Sequence, residues 1–141
     1  MTQRFEALAL ATRAHAGQVD KAGLAYIDHP VRVAERLTGR SEVLYIAGLL
    51  HDTVEDTFVT LAVITEHFGP EVAVLVDAVT KREGERKPEY YARVKAAGLD
   101  AVALKMADIA DNTDPDRLAH LPAELRDRLT TKYAQAVVAL R

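Results

Sequence analysis

Eight consecutive residues, Val43 to Leu50 (VLYIAGLL), would be apolar on almost every face of a helix, and they run straight into His51-Asp52-Thr53-Val54-Glu55-Asp56. A helix with no polar side is normally buried, so this segment constrains the fold more than any other. Its end carries four ionisable groups to the edge of a core, where an unpaired charge is very costly. If the helix continues, Glu55 lies one turn beyond His51 and Asp56 one turn beyond Asp52, and the four can cluster. Imidazole and carboxylate are both good ligands for a divalent ion. A metal would supply the missing partner.

The chain of 141 residues is long enough for one domain with a proper core, taken as residues 1–141. A formal net charge of −3 gives no global attraction for nucleic acid or an anionic membrane. An anionic substrate has to be captured by a local patch or by a metal. No apolar run approaches the roughly 20 residues that span a bilayer, and the start, MTQRFEALAL, lacks the basic and apolar regions of a signal peptide. Zero cysteines exclude disulfides and thiolate metal sites, leaving histidines and carboxylates as ligands. The expectation is a cytoplasmic enzyme.

Elsewhere the periodicity is helical. Phe5, Leu8, Thr12 and His15 form a stripe at spacings of three and four, with Gly17 as a stop. His15 on that stripe reads as a hydrogen-bonded core histidine. Residues 18–28 read as a connecting loop, and Pro30 sits at the first turn of a second helix running to about Leu37. Ser41 with Glu42 opens the buried helix. Thr60 caps a short helix through His67, and Gly69-Pro70-Glu71 starts another over Val72 to Lys81. Residues 82–88 (REGERKP) read as a charged, flexible, solvated loop. A helix near Glu89–Ala97 ends at Gly98, and Asp100 caps the next, Ala101 to Ala110, again apolar nearly all round. Pro122 begins the last, with Leu125, Leu129, Tyr133, Val137 and Leu140 on one face. The expected fold is a single-domain, all-α helical bundle.

Both apolar helices end in acids: His51-Asp52 on the first, Asp108 followed by Asp111-Asn112 on the second. Packed side by side, they bring Asp108 to face His51 and Asp52. The segment Tyr26-Ile27-Asp28-His29-Pro30 puts another imidazole at the mouth of the second helix. An isolated His-Asp pair is usually a surface or capping pair, and Asp108 alone can pair with Lys105. Their conjunction in apolar helices points instead to a metal held by His29, His51, Asp52 and Asp108 between the two central helices. Nitrogen and oxygen ligands together suit Mn²⁺, Fe²⁺ or Zn²⁺. Such an ion polarises a phosphoryl oxygen and lowers the pKa of water, and Glu55 and Asp56 could then orient that water or accept its proton.

With these residues assembled, the chain resembles the HD-superfamily metal-dependent phosphohydrolases, and more narrowly the RelA/SpoT-type small alarmone hydrolases. The resemblance runs through Ala14-His15-Ala16-Gly17-Gln18, Lys21 to Pro30 (KAGLAYIDHP), His51 to Thr57 (HDTVEDT), Val79-Thr80-Lys81, and Lys105-Met106-Ala107-Asp108 with Asn112. It implies Mn²⁺ on His29, His51, Asp52 and Asp108, and water activation by Glu55 and Asp56. It further implies that Lys21 contacts substrate phosphate or base and that Asn112 hydrogen-bonds the nucleotide. The implied reaction removes pyrophosphate from the 3′ position of a guanosine alarmone such as ppGpp, the nucleotide of the stringent response, giving GDP or GTP. No second domain is expected, so hydrolysis should be the only activity, and a homodimer remains open. The chain departs from the pattern at Asp20, where relatives often carry a basic residue. It departs again at Ile109 and Asp111, which remove one positive charge near the site and add a negative one. Two alternatives stay open: an HD-type phosphatase for nucleoside monophosphates or phosphorylated dinucleotides, and a nucleotide-binding sensor without turnover.

Overall fold

Ser41 sets the centre of the molecule: its Oγ accepts the Leu44 N–H at 3.1 Å and starts the helix that everything else surrounds. The computed structural model describes residues 3–141. Among them the chain forms α1 (Gln3–Ala14), α2 (Asp28–Arg36), α3 (Glu42–Leu50), α4 (Thr53–Asp56), α5 (Leu61–Phe68), α6 (Pro70–Val79), α7 (Lys87–Ala96), α8 (Leu99–Asn112), α9 (Pro115–Leu118) and α10 (Ala123–Leu140). The described residues hold no strand, only an isolated antiparallel bridge between Val19 and Ala25. The all-α expectation holds. No described helix is long and apolar enough to cross a membrane.

The apolar segment 43–50 becomes α3, packed by α1, α2, α6 and α8 and buried along Leu44, Ile46, Ala47, Gly48, Leu49 and Leu50. Gly48 permits the closest approach in the core. A Cβ there would lie 2.9 Å from Ala34 Cα, so only hydrogen lets α2 and α3 meet at this distance. The second apolar helix, α8, crosses both, burying Ala101, Leu104, Ala107 and Ile109. Local signals for α5 and α6 are where the sequence put them: Thr60 Oγ1 accepts the Val63 N–H at 3.2 Å, and Pro70 occupies the first turn of α6.

Two expectations about helix faces and caps are corrected. The stripe Phe5, Leu8, Thr12 is not the packed face of α1. Phe5 is 57% and Leu8 38% exposed, whereas Ala7 and Ala11 are fully buried and Ala14 nearly so. Small side chains let α1 approach α3 closely, and close packing outranks side-chain hydrophobicity there. His15, just past α1, is buried as expected, its Nδ1–H donating to Gln18 Oε1 at 2.9 Å. Asp100 does not cap α8 either: the helix begins at Leu99 after Gly98, whose φ of +113° is glycine territory, and Asp100 stands in its first turn.

The 82–88 segment is also tied down rather than flexible. Arg93 on α7 donates to the carbonyls of Ala78 (3.0 Å) and Thr80 (2.8 Å) and to both Glu85 carboxylate oxygens at 2.9 Å. These Arg93 bonds, with the Arg82 amide, pull the Glu85 carboxyl down to about 2. The loop is thereby held between α6 and α7, and Lys87 enters α7 at a fixed place.

Candidate metal centre

The helix carrying His51 stops at Leu50, so the four acids and bases do not share one continuous helix. His51 keeps helical backbone angles (φ −60°, ψ −28°), but Asp52 bends to φ −100°, ψ −3° before α4 begins. On an unbroken helix adjacent side chains point about 100° apart. The bend brings His51 Nε2 and Asp52 Oδ2 to 3.1 Å instead. His29 enters from the first turn of α2 and Asp108 from α8, both almost wholly buried. One ligand atom from each of His29, His51, Asp52 and Asp108 lies within 4.8 Å of all the others.

Both imidazoles are oriented from behind. His29 Nδ1–H donates to Asp111 Oδ2 at 2.6 Å, and His51 Nδ1–H donates to the Gly48 carbonyl at 2.7 Å. Each ring therefore turns Nε2 toward the same point. There His29 Nε2 lies 2.9 Å and His51 Nε2 3.3 Å from Asp108 Oδ1. Two nitrogens with lone pairs aimed at two carboxylates need positive charge between them, as protons or as a divalent cation. The titration preferences say the same. Burial opposes charge on both histidines, yet the facing carboxylates raise His29 and raise His51 well above the ordinary imidazole value. Burial would raise Asp52 too, but the His51 charge holds it at about 2. Asp108 is held well below the carboxylate range against burial, first by Lys105 and then by the two histidines. The donor set fits a divalent metal.

Asp108 is fixed along its own helix: Lys105 Nζ donates to Oδ2 at 2.8 Å and Asn112 Nδ2 to Oδ1 at 3.2 Å. The Tyr26 hydroxyl donates to Asp52 Oδ2. Glu55 and Asp56 reach the same pocket, a cavity of about 240 Å³, from α4. Glu55 Oε1 accepts the Lys81 amide at 2.8 Å. Asp56 is placed by Gln18, whose Nε2 donates to the Asp56 carbonyl at 3.1 Å. Its carboxyl is raised to about 6, first by desolvation and then by the charges of Asp52 and Glu55.

Lys81, Lys87, Lys105 and Lys132 also line this pocket, a cationic wall in a chain of net charge −3. Burial lowers Lys132, and repulsion from Lys21, Lys87 and Lys105 lowers it further, as at a site arranged for an anion. A second cavity of about 390 Å³ adjoins the first and shares Tyr26, Asn112 and Tyr133 with it. It is more apolar, with Leu118, Leu121 and Leu129 beside Lys21 and Arg117.

The structure thus brings His29, His51, Asp52 and Asp108 together, with Glu55 and Asp56 on the same pocket. Asn112 touches Asp108 and borders both cavities, while Lys21 lies in the adjoining cavity, away from the ligand cluster. Sequence reasoning gave no role to Tyr26, Lys87 and Lys132, and read Asp111 only as an added charge near the site. Lys87 lies in a segment read as a solvated turn, and Lys132 carries no local signal. The added negative charge does not reach the pocket: Asp111 is fully buried behind His29, bonded by Arg32 Nε at 2.8 Å and Arg117 Nη1 at 2.7 Å. Ile109 is core. Asp20 lines the second cavity, its carboxylate accepting the Ala22 and Leu24 amides at 2.9 and 3.0 Å and Arg117 Nη2 at 3.3 Å.

Residues 7–113 match the family model described as HD domain. A guanosine-3′,5′-bis(diphosphate) 3′-pyrophosphohydrolase of Aquifex aeolicus is 40% identical over 107 residues, covering 70% of this chain and 15% of the relative. The human guanosine-3′,5′-bis(diphosphate) 3′-pyrophosphohydrolase MESH1 is 39% identical over 116 residues, covering 75% of this chain and 65% of that protein. A GTP pyrophosphokinase of Myxococcus xanthus is 34% identical over 137 residues, covering 88% of this chain and 18% of that relative. A solved structure of a metazoan orthologue of SpoT, described as hydrolysing ppGpp, superposes with a TM-score of 0.86 at 28% identity. The match covers all of this chain and 86% of that one. The chain spans under a fifth of the length of these two bacterial relatives and about two thirds of the human one.

Proposed function

The chain belongs to the HD-domain family, and on that premise we propose that it is a metal-dependent pyrophosphohydrolase acting on guanosine 3′,5′-bis(diphosphate)-like alarmones. The products are pyrophosphate and GDP or GTP. One observation carries the hydrolytic part: two imidazoles, each committed through Nδ1, aim Nε2 at two carboxylates within a single 4.8 Å cluster. The named activities of the Aquifex, human and metazoan relatives support the substrate.

In this reading residues 1–141 act as one hydrolase domain. His29, His51, Asp52 and Asp108 would hold the ion, Mn²⁺ in our proposal. When bound, the ion polarises a phosphoryl oxygen and makes hydroxide available near neutral pH. The chain's own groups do the rest. Asp56, which lines the pocket beside the ligand Asp52, accepts the proton of the attacking water. Glu55 keeps Oε2 for orienting that water, because Oε1 is fixed by the Lys81 amide. The water oxygen bonds to the phosphorus attached to O3′, the P–O3′ bond breaks, and O3′ takes up a proton as pyrophosphate departs. Lys81, Lys87, Lys105 and Lys132 offset the phosphate charge. The nucleoside extends into the adjoining cavity, within reach of Lys21 and Asn112.

A product screen with Mn²⁺ across guanosine 3′,5′-bis(diphosphate), nucleoside monophosphates and phosphorylated dinucleotides tests this reading. Pyrophosphate release from the first, lost in Asp52→Ala, is the expected result. Orthophosphate release from either of the other classes alone would replace the substrate assignment, and binding without turnover would make the protein a sensor.

A further inference from the structure

Asp111 has no place in the chemistry just described, yet it is among the most completely enclosed side chains of the molecule. Its carboxylate has charged partners on both oxygens. Oδ2 accepts from His29 Nδ1–H at 2.6 Å and from Arg117 Nη1 at 2.7 Å, while Oδ1 accepts from Arg32 Nε at 2.8 Å. A fully enclosed carboxylate is tolerated only when such partners repay its desolvation. Two arginines would suffice for that. The third partner, the imidazole, is the one that bears on function. A carboxylate behind Nδ1 fixes which nitrogen carries the proton, locks the ring plane and raises the basicity of Nε2, the atom facing the metal position.

His51 shows the contrast. It is oriented by a neutral backbone carbonyl, Gly48 O at 2.7 Å. The two imidazoles are thus unequally supported, and His29 is the one with an anion behind it.

We propose that Asp111 is a positioning residue of the metal centre, the outer member of an Asp111–His29–metal relay that strengthens His29 as a ligand. Arg32 and Arg117 hold the carboxylate in register. Arg117 also ties it to Asp20, and so to the 18–25 loop that borders the second cavity. The inference rests on the metal reading above.

Equilibrium Mn²⁺ binding by titration calorimetry, with melting temperature measured alongside, separates this role from a purely structural one. Asp111→Asn is expected to weaken Mn²⁺ affinity by roughly 10- to 100-fold, the usual effect of removing such a partner. Arg32→Gln and Arg117→Gln each remove an ion pair but leave the Asp111–His29 bond, and are expected to shift affinity far less while lowering the melting temperature. Asp111→Glu, which keeps the charge, is expected to retain more affinity than the asparagine variant, and it replaces that variant should Asp111→Asn not fold. Asp111→Asn binding Mn²⁺ as tightly as the wild type, Asp111→Glu binding no more tightly than Asp111→Asn, or arginine variants that lose as much affinity as Asp111→Asn, would overturn the proposal. Failure of the wild type to bind Mn²⁺ at all would instead remove the metal reading beneath it.

Discussion

Replacing the group proposed as the base should make the metal-free protein more stable, and the structure gives the size of the gain. Asp56 lies beside Asp52 and Glu55, and desolvation plus these two charges raise its carboxyl from 3.8 to about 6. A carboxyl raised on folding penalises the folded state above its folded pKa. The penalty is absent below the unfolded value, grows between 3.8 and about 6, and is complete above that. About two units at about 1.36 kcal/mol each set a ceiling near 3 kcal/mol. Asp56 stands at the solvent edge of the pocket, where screening reduces this to roughly 1 kcal/mol. Asp56→Asn should therefore raise the melting temperature by about 3 °C near neutral pH in chelator-treated protein. The gain should fade toward pH ~4 and shrink when a divalent ion is added, since the cation offsets the same repulsion. Thermal unfolding of both proteins at two pH values, with and without Mn²⁺, reads all of this. An asparagine variant no more stable than the wild type near neutral pH, or equally stabilised at both pH values, would refute the electrostatic reasoning. The same variant should lose roughly 10²- to 10⁴-fold in turnover, which is the expected trade of stability for function.

Gly48→Ala should destabilise by about 1–3 kcal/mol in urea unfolding, because its Cβ would meet Ala34 backbone at 2.9 Å, and it should also weaken metal binding by displacing α2 and His29. Ser41→Ala removes the α3 cap at Leu44 N and should lower stability by about 1 kcal/mol without altering metal affinity. Lys87→Gln, and separately Lys132→Gln, should raise KM several-fold with kcat little changed, and should flatten the salt dependence of kcat/KM. An unchanged KM in both would remove the lysines from substrate binding.

What the sequence disclosed and what it hid divide along a physical line. Ser41, Thr60 and Pro70 act within one turn of their own helix, so their signals are local and were legible. So were the two helices with no polar face, since only a central position satisfies them, and through them His51, Asp52 and Asp108. The four-residue helices α4 and α9 are too short to show a period. The packed face of α1 was misread because Ala7 and Ala11 gain their place by closeness to α3, not by hydrophobicity. Lys87 and Lys132 reach one pocket only after α7 and α10 have packed. The partnership of Asp111 with His29 joins residues 82 positions apart, and no local pattern marks it.

The most direct test of the account is pyrophosphate release from guanosine 3′,5′-bis(diphosphate), followed as metal-free protein is titrated with Mn²⁺. No turnover is expected before addition, then a rise that saturates at one ion per chain and is absent in Asp108→Asn. Turnover that persists in chelator, or that survives Asp108→Asn, would contradict it.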